Sequence, residues 1–139
     1  MKADSMAQIK RFGFGLQALI ALASQPDQWS SGEIAEHLRC EPTALRKILA
    51  QLAEAGLIEV KQGRTGGYRL IKPAGEITLS EVYRSVYDEE PQWENMFETR
   101  GEAPPGEKMK QAFERIRKDI NRQMDGVLST YTLDDLLDE

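Results

Sequence analysis

One cysteine and one histidine are all that 139 residues contain of the two side chains most used for metal ligation and nucleophilic chemistry. A lone cysteine makes neither a disulfide framework nor a multi-thiolate metal site. A lone histidine removes most imidazole-based metal and general-base chemistry. Long apolar runs are missing too. The longest, Leu16 to Ala23, is broken by Gln17, far short of the ~18–20 residues that cross a bilayer. The opening segment MKADSMAQIKR has no apolar centre, so no secretory leader is expected. A bacterial-type cytoplasmic protein with no membrane partner is the expectation. No phosphate-binding glycine loop, no dinucleotide fingerprint after a strand and no Ser-His-Asp or Cys-His set can be assembled, so the chain is not expected to be an enzyme.

Hydrophobic residues make up 40% and charged residues 29% of the chain, against ~45–50% (counting glycine) and ~25% in ordinary globular domains. That is a soluble chain with a modest core. Its formal net charge of −5 is unevenly spread. Residues 1–80 hold ten Lys/Arg and eight Asp/Glu; residues 81–139 hold eight and fifteen. The first part is therefore slightly basic and the second strongly acidic. Such asymmetry points to separate tasks, and it leaves room for a local positive face on an acidic protein.

Apolar residues mark out the elements. Ile9, Phe12, Leu16, Leu19, Ile20 and Ala23 recur every three or four positions and predict an amphipathic helix ending before Pro26. Gly13 and Gly15 within it suggest close packing or a loosened first turn. A short loop, Gln25 to Trp29, follows. Ser30-Ser31-Gly32-Glu33 reads as a capping box opening a helix that buries Ile34, Ala35 and Leu38. After the break Arg39-Cys40-Glu41, Pro42 starts a helix that buries Leu45, Ile48, Leu49 and Leu52 and stops at Gly56. Leu57–Lys61 and Tyr68–Lys72 read as two strands around a glycine-rich tip, Gln62 to Gly67, where Gly66 and Gly67 are expected to need positive φ. Thr78-Leu79-Ser80-Glu81 is a second capping box, opening a helix through Val82, Val86 and Tyr87. Residues 88–106 hold six acidic residues, three prolines and two glycines, and read as an acidic linker. A long helix from about Glu107 to Ser129 follows, with a short turn near Thr132–Leu137.

Helix, helix, tight turn, helix, strand, tip, strand is the order of a winged helix-turn-helix. The fold class is mainly α with a small β-hairpin wing, plus a long C-terminal dimerisation helix. The expected division is 1–87 for DNA binding, 88–106 for the linker and 107–139 for the dimerisation helix and tail. In this arrangement the second helix of the motif enters the major groove. The face opposite its apolar side carries Thr43, Ala44, Arg46 and Lys47. Short polar, methyl and basic groups there suit base edges and phosphates. Ser30, Ser31 and Lys47 are candidate phosphate anchors. At the wing, Gly63 allows close backbone approach, while Arg64 and Thr65 can reach the flanking backbone or a narrow minor groove.

Residues 12 to 86 resemble the Rrf2 (BadM-type) family of bacterial winged-helix transcriptional regulators. The carrying stretches are GLQALIALA, SSGEIAEHL, PTALRKILAQLAEAGLIEV, QGRTGGYRL and ITLSEVYRSV. The resemblance implies a homodimer on a partly palindromic operator, a repressor rather than an activator, with double-stranded DNA as partner. By position it implies base reading by Glu41, Thr43, Ala44 and Arg46, with Thr43 and Ala44 standing where many members have Ser-Tyr. Gln62 stands where many members have a wing arginine; here the arginine comes two residues later, at Arg64. Iron–sulfur members carry three cysteines after the ITLSEV helix, and residues 88–106 contain none. No cofactor and no iron–sulfur cluster are therefore expected, which places the chain in a cluster-free branch.

Four further features carry alternatives. Met109, Phe113, Ile116, Ile120, Met124 and Val127 form a narrow stripe suited to pairing across a two-fold axis, or to an internal core. Cys40 precedes the reading helix and is either a small buried residue or the thiol of a redox-sensing regulator. His37 is expected at the surface or its boundary. Trp93, Met96 and Phe97 either pack the acidic loop onto the body or line a pocket for a small-molecule effector of unspecified identity. From another functional class, a winged helix that binds protein instead of DNA has the same periodicities.

Overall fold

A computed structural model describes residues 8–24, 29–64, 66–87 and 106–137. The loop 25–28, Thr65 and the acidic segment 88–105 with Trp93, Met96 and Phe97 lie outside the described residues. Helices α1 (Gln8–Ser24), α2 (Ser31–Leu38) and α3 (Pro42–Glu54) come first. Strands β1 (Ile58–Lys61) and β2 (Gly67–Leu70) follow, then α4 (Leu79–Ser85), α5 (Glu107–Leu128) and α6 (Leu133–Leu137). The fold is a mainly helical winged helix-turn-helix with a two-stranded antiparallel wing and a long C-terminal helix.

Local chemistry sets the boundaries. Ser30 Oγ accepts from the Glu33 amide while Glu33 returns the bond to the Ser30 amide, and Thr78 and Glu81 repeat the exchange before α4. Glu81 then donates charge to a further contact: burial works to raise its pKa, but the Thr78 amide and Lys72, 3.1 Å away, outweigh it and hold the carboxyl below its usual range. Pro42 occupies the first turn of α3, where no amide partner is lost. At the far end of α3 the Gly56 amide bonds Ala53 and the Leu57 amide bonds Leu52, with Gly56 at φ +82°. This crossed pair closes a helix through a left-handed residue.

The wing pairs Ile58 with Leu70 and Lys61 with Gly67. A third rung joins it, because the Tyr68 amide donates to the Trp29 carbonyl at 2.7 Å. That bond ties the entry of α2 to the wing. The core lies where α1, α3, α4 and β1 meet. Leu19, Ile34, Leu45, Ile48, Leu49, Leu52, Ile77, Val82 and Val86 are fully buried there.

The inward face of α1 differs from the apolar stripe expected of it. Ile9 is 66% exposed, whereas Gln8 and Arg11 are buried beside Gly15, Ala18, Leu19 and Leu22. Phe12, Leu16 and Ile20 pack only at the margin of the core. The rotation follows from hydrogen bonding. Arg11 Nε donates to the Val86 carbonyl at 3.1 Å, and the same guanidinium donates to Gln51 of α3. A buried guanidinium demands such partners, and α1 turns to provide them. Gly15 faces α4 at this point: a Cβ there would lie 3.4 Å from Val86 Cγ1 and 3.6 Å from Val82 Cγ1, ordinary van der Waals contact.

The C-terminal tail closes back on the winged part. The Leu79 amide donates to the Tyr131 carbonyl, the Leu133 amide to the Ile77 carbonyl, and Thr78 bridges Thr132. Leu133 is fully buried in the same core as Leu49. Truncating Leu133 to Ala should therefore lower unfolding free energy by about 2–5 kcal/mol, as for any large core side chain. Urea unfolding read by far-UV circular dichroism checks this; a change within ±0.5 kcal/mol would mean that the tail only rests on the surface.

Candidate nucleic-acid interface

Four buried residues orient α3. Leu45, Ile48, Leu49 and Leu52 all face the core with no exposure. At 3.6 residues per turn the opposite face must then hold positions 43, 46, 47, 50 and 54. The structure exposes all of them: Thr43, Arg46, Lys47, Ala50 and Glu54. Arg46 and Lys47 thus stand side by side on solvent, one turn from the helix N-terminus, with Thr43 beneath them. Ala44 is only half-exposed and packs at the edge of the core.

The amides at the start of α3 add a fixed positive dipole end to this face. Glu41 caps it: its Oε1 accepts from the Ala44 amide at 2.9 Å. One oxygen of Glu41 therefore has a structural task. Ser30 is exposed at the start of α2, with its hydroxyl accepting the Glu33 amide at 3.0 Å, and Ser31 is half-buried. A serine in that role still has a hydroxyl proton to donate to a phosphate.

Of the two glycines expected to need positive φ at the wing tip, Gly67 takes it, at +147°, and Gly63 does as well, at +107°. Gly66 is required for space instead, since a Cβ there would fall 1.9 Å from the Lys61 carbonyl oxygen. Its amide donates to the Gly63 carbonyl at 3.0 Å, which closes the tip. Arg64 is exposed at this turn. Lys61, also exposed at the end of β1, supplies a second cation that sequence reasoning passed over. Arg69 pairs with Glu59 across the hairpin and belongs to the wing itself.

Two further groups lie beside this face. His37 is exposed and sits edge-on to Trp29, ring centroids 5.2 Å apart. Cys40 is buried in the turn between α2 and α3, its Sγ 3.6 Å from the Glu41 carbonyl. Burial pushes its thiol above the ordinary value, and the Glu41 charge pushes it the same way. A thiol with a raised pKa is mostly protonated at neutral pH, while the reactive form is the thiolate.

Along α5 the stripe is largely open. Met109, Ile116, Ile120 and Val127 are 40–58% exposed, Phe113 and Met124 are half-buried, and the helix buries no residue fully. No described helix is long and apolar enough to cross a membrane.

Comparisons with known proteins agree with this fold. A family model described as Rrf2, an iron-dependent transcriptional regulator, matches residues 9–139. The chain is 40% identical over 73 residues to YwgB of Bacillus subtilis (strain 168), by name an HTH-type transcriptional regulator; the match covers 51% of this chain. It covers 47% of YwgB, so the chain spans about half the length of that relative. The fold is similar to that of Staphylococcus aureus CymR, at 28% identity and a TM-score of 0.63, over 94% of this chain and 97% of the other. A Lactobacillus plantarum structure described as a transcriptional regulator shares the fold at 19% identity and a TM-score of 0.76, over 94% and 89% of the two chains. The iron in the family description finds no fitting donor set as a cluster. Such clusters are held by several cysteine thiolates, and the chain has only Cys40. Among the described residues no group of three or more His, Cys, Asp or Glu could hold a metal ion.

Native protein should react slowly with iodoacetamide at pH 7–8, and at the rate of a free thiol once unfolded in urea. Labelling followed by mass spectrometry checks this. Native labelling as fast as in urea would show an accessible, ionised Cys40 and reopen a redox role.

Proposed function

Because this chain belongs to the Rrf2 family of transcriptional regulators, we propose that it binds a partly palindromic DNA operator as a homodimer and acts there as a repressor. The observation that carries the reading is the outward face of α3, with Thr43, Arg46 and Lys47 exposed together opposite a fully buried face. Laid in the major groove, Arg46 reaches guanine O6 and N7 in bidentate fashion, and Thr43 meets a neighbouring base or phosphate. Ala44 lends a methyl group to the edge of that contact. The second oxygen of Glu41 accepts from a cytosine amine. Lys47, Ser30 and Ser31 neutralise or bond the phosphates on either side. At the wing Gly63 lets the backbone close in, and Arg64, Thr65 and Lys61 reach the flanking phosphates or the minor groove.

The dimer uses the open stripe of α5. Met109, Phe113, Ile116, Ile120, Met124 and Val127 meet their copies across a two-fold axis, which buries an apolar face that the single chain leaves wet. The two reading helices then lie roughly one helical turn of DNA apart, ~34 Å. A protein of this kind works in the cytoplasm beside the chromosome. Without thiolates for a cluster, it belongs with the cluster-free members of the family.

Selection of bound fragments from sheared genomic DNA tests the reading. Purified protein should enrich a two-fold-symmetric site, and the double variant Arg46→Ala/Arg64→Ala should not. With six to ten phosphate contacts, affinity should fall ~10³–10⁵-fold between 50 and 200 mM salt. On the enriched site Arg46→Ala alone should cost about 1–3 kcal/mol and relax specificity at one base pair. A uniform loss on all sequences would demote Arg46 to a phosphate contact. No enrichment by a folded, dimeric protein would point to a winged helix that binds protein instead.

A further inference from the structure

The long helix α5 buries no residue fully and meets the core at Leu128, its last residue, so packing along its length does little to aim it. Its C-terminal end is located by backbone bonds. The Leu79 amide donates to Tyr131 at 2.9 Å and the Leu133 amide to Ile77 at 3.0 Å. One anchored end leaves a rod free to swing. A second anchor lies in the last turn of α5 itself. Arg84 Nη1 of α4 donates to Asp125 Oδ1 at 2.8 Å, and the Ser80 hydroxyl bonds both the same carboxylate oxygen and Arg84.

This cluster differs from an ordinary surface ion pair. Arg84 and Asp125 are half-exposed or more, and such a pair alone contributes little. Ser80, however, is 1% exposed and lies between them. The hydroxyl is fixed by the core, so it fixes the carboxylate. The Ser80 bond first, and Arg84 after it, hold the Asp125 carboxyl below its usual pKa range. The carboxylate therefore stays ionised in its contact throughout the neutral range.

We propose that the Ser80–Arg84–Asp125 cluster sets the direction of α5 against the winged body, and through it the spacing between the two DNA half-sites. The leverage is large. Met109 lies sixteen residues before Asp125, or ~24 Å at 1.5 Å per residue. A swing of ~8° moves that far end by roughly 3.4 Å, one base-pair step. Asp125, Arg84 and Ser80 are thus positioning residues: none need touch DNA, and their loss should change spacing rather than the base sequence read. The inference rests on the dimeric DNA-reading proposed above.

In vitro selection from a random-sequence duplex library, with the full chain as bait, tests both separately. The wild type should return one half-site motif, repeated in inverted orientation at one spacing. Asp125→Ala and Ser80→Ala should each return the same half-site motif spread over two or more neighbouring spacings. The exchange Arg84→Asp/Asp125→Arg should restore the single spacing. An unchanged single spacing in Asp125→Ala would overturn the proposal. Loss of the half-site motif itself in that variant would also overturn it, since the cluster would then hold the fold and not a direction. A wild type that returns no motif, or an unpaired one, would remove the DNA-reading or the dimer first, and this inference with it.

Discussion

Every exposed position that α3 brings to the candidate interface follows from the burial of four side chains on its opposite face. Leu45, Ile48, Leu49 and Leu52 have no solvent exposure. Each such side chain is worth about 1.5–3 kcal/mol when taken out of water, so rotating α3 by even one position would forfeit several kcal/mol. The helix has no freedom to present another face. Thr43, Arg46 and Lys47 are outward because those leucines and that isoleucine are inward. A site built this way is rigid, and rigid first contacts cost less entropy on binding than mobile ones.

The same helix is held at both ends and along its side. Pro42 and the Glu41 carboxylate define its start, and the Gly56 closure defines its stop. Gln51 on its flank receives the buried Arg11 guanidinium, which also holds the Val86 carbonyl at the end of α4. Arg11 therefore links three helices through one side chain. Buried charge is stabilising only where its donors are satisfied, and that requirement explains why α1 turns polar residues inward at the expense of Ile9.

The two ends of the chain make opposite use of their apolar residues. In the winged part most large aliphatic side chains are covered within the protomer, and the exposed ones, Ile9, Val60 and Ile71, are scattered. In α5 four members of a regular stripe remain exposed. An amphipathic helix with an open apolar face is a surface prepared for a partner, and its regular spacing suits a second helix like itself. The tail after it behaves differently again. Leu133 enters the core of the winged part, so α5 is tethered to its own protomer on the side where it meets α4.

How far these features were legible depends on their range. Capping boxes at Ser30 and Thr78, Pro42 at a helix start, Gly56 at a helix stop and the period of α3 and α5 are all set by neighbours within four residues. Each appears in the sequence as a short pattern, and each stands in the structure. The winged order and the outward set Thr43, Arg46 and Lys47 follow from those patterns by helical geometry alone. Other features join residues that no local pattern connects. Arg11 reaches Val86 across 75 positions, and Ser80 reaches Asp125 across 45. Leu133 sits in an acidic stretch that gives no hint of a core residue. Gly66 is needed for space left by the Lys61 carbonyl, whereas the sequence suggested only a dihedral preference. Local chemistry thus determined which segments become helices, strands and tip; only the close-packed tertiary structure decided which face of α1 turns inward, where the tail packs and which side chains α5 meets on α4, because those choices satisfy buried polar groups and voids supplied by distant parts of the chain.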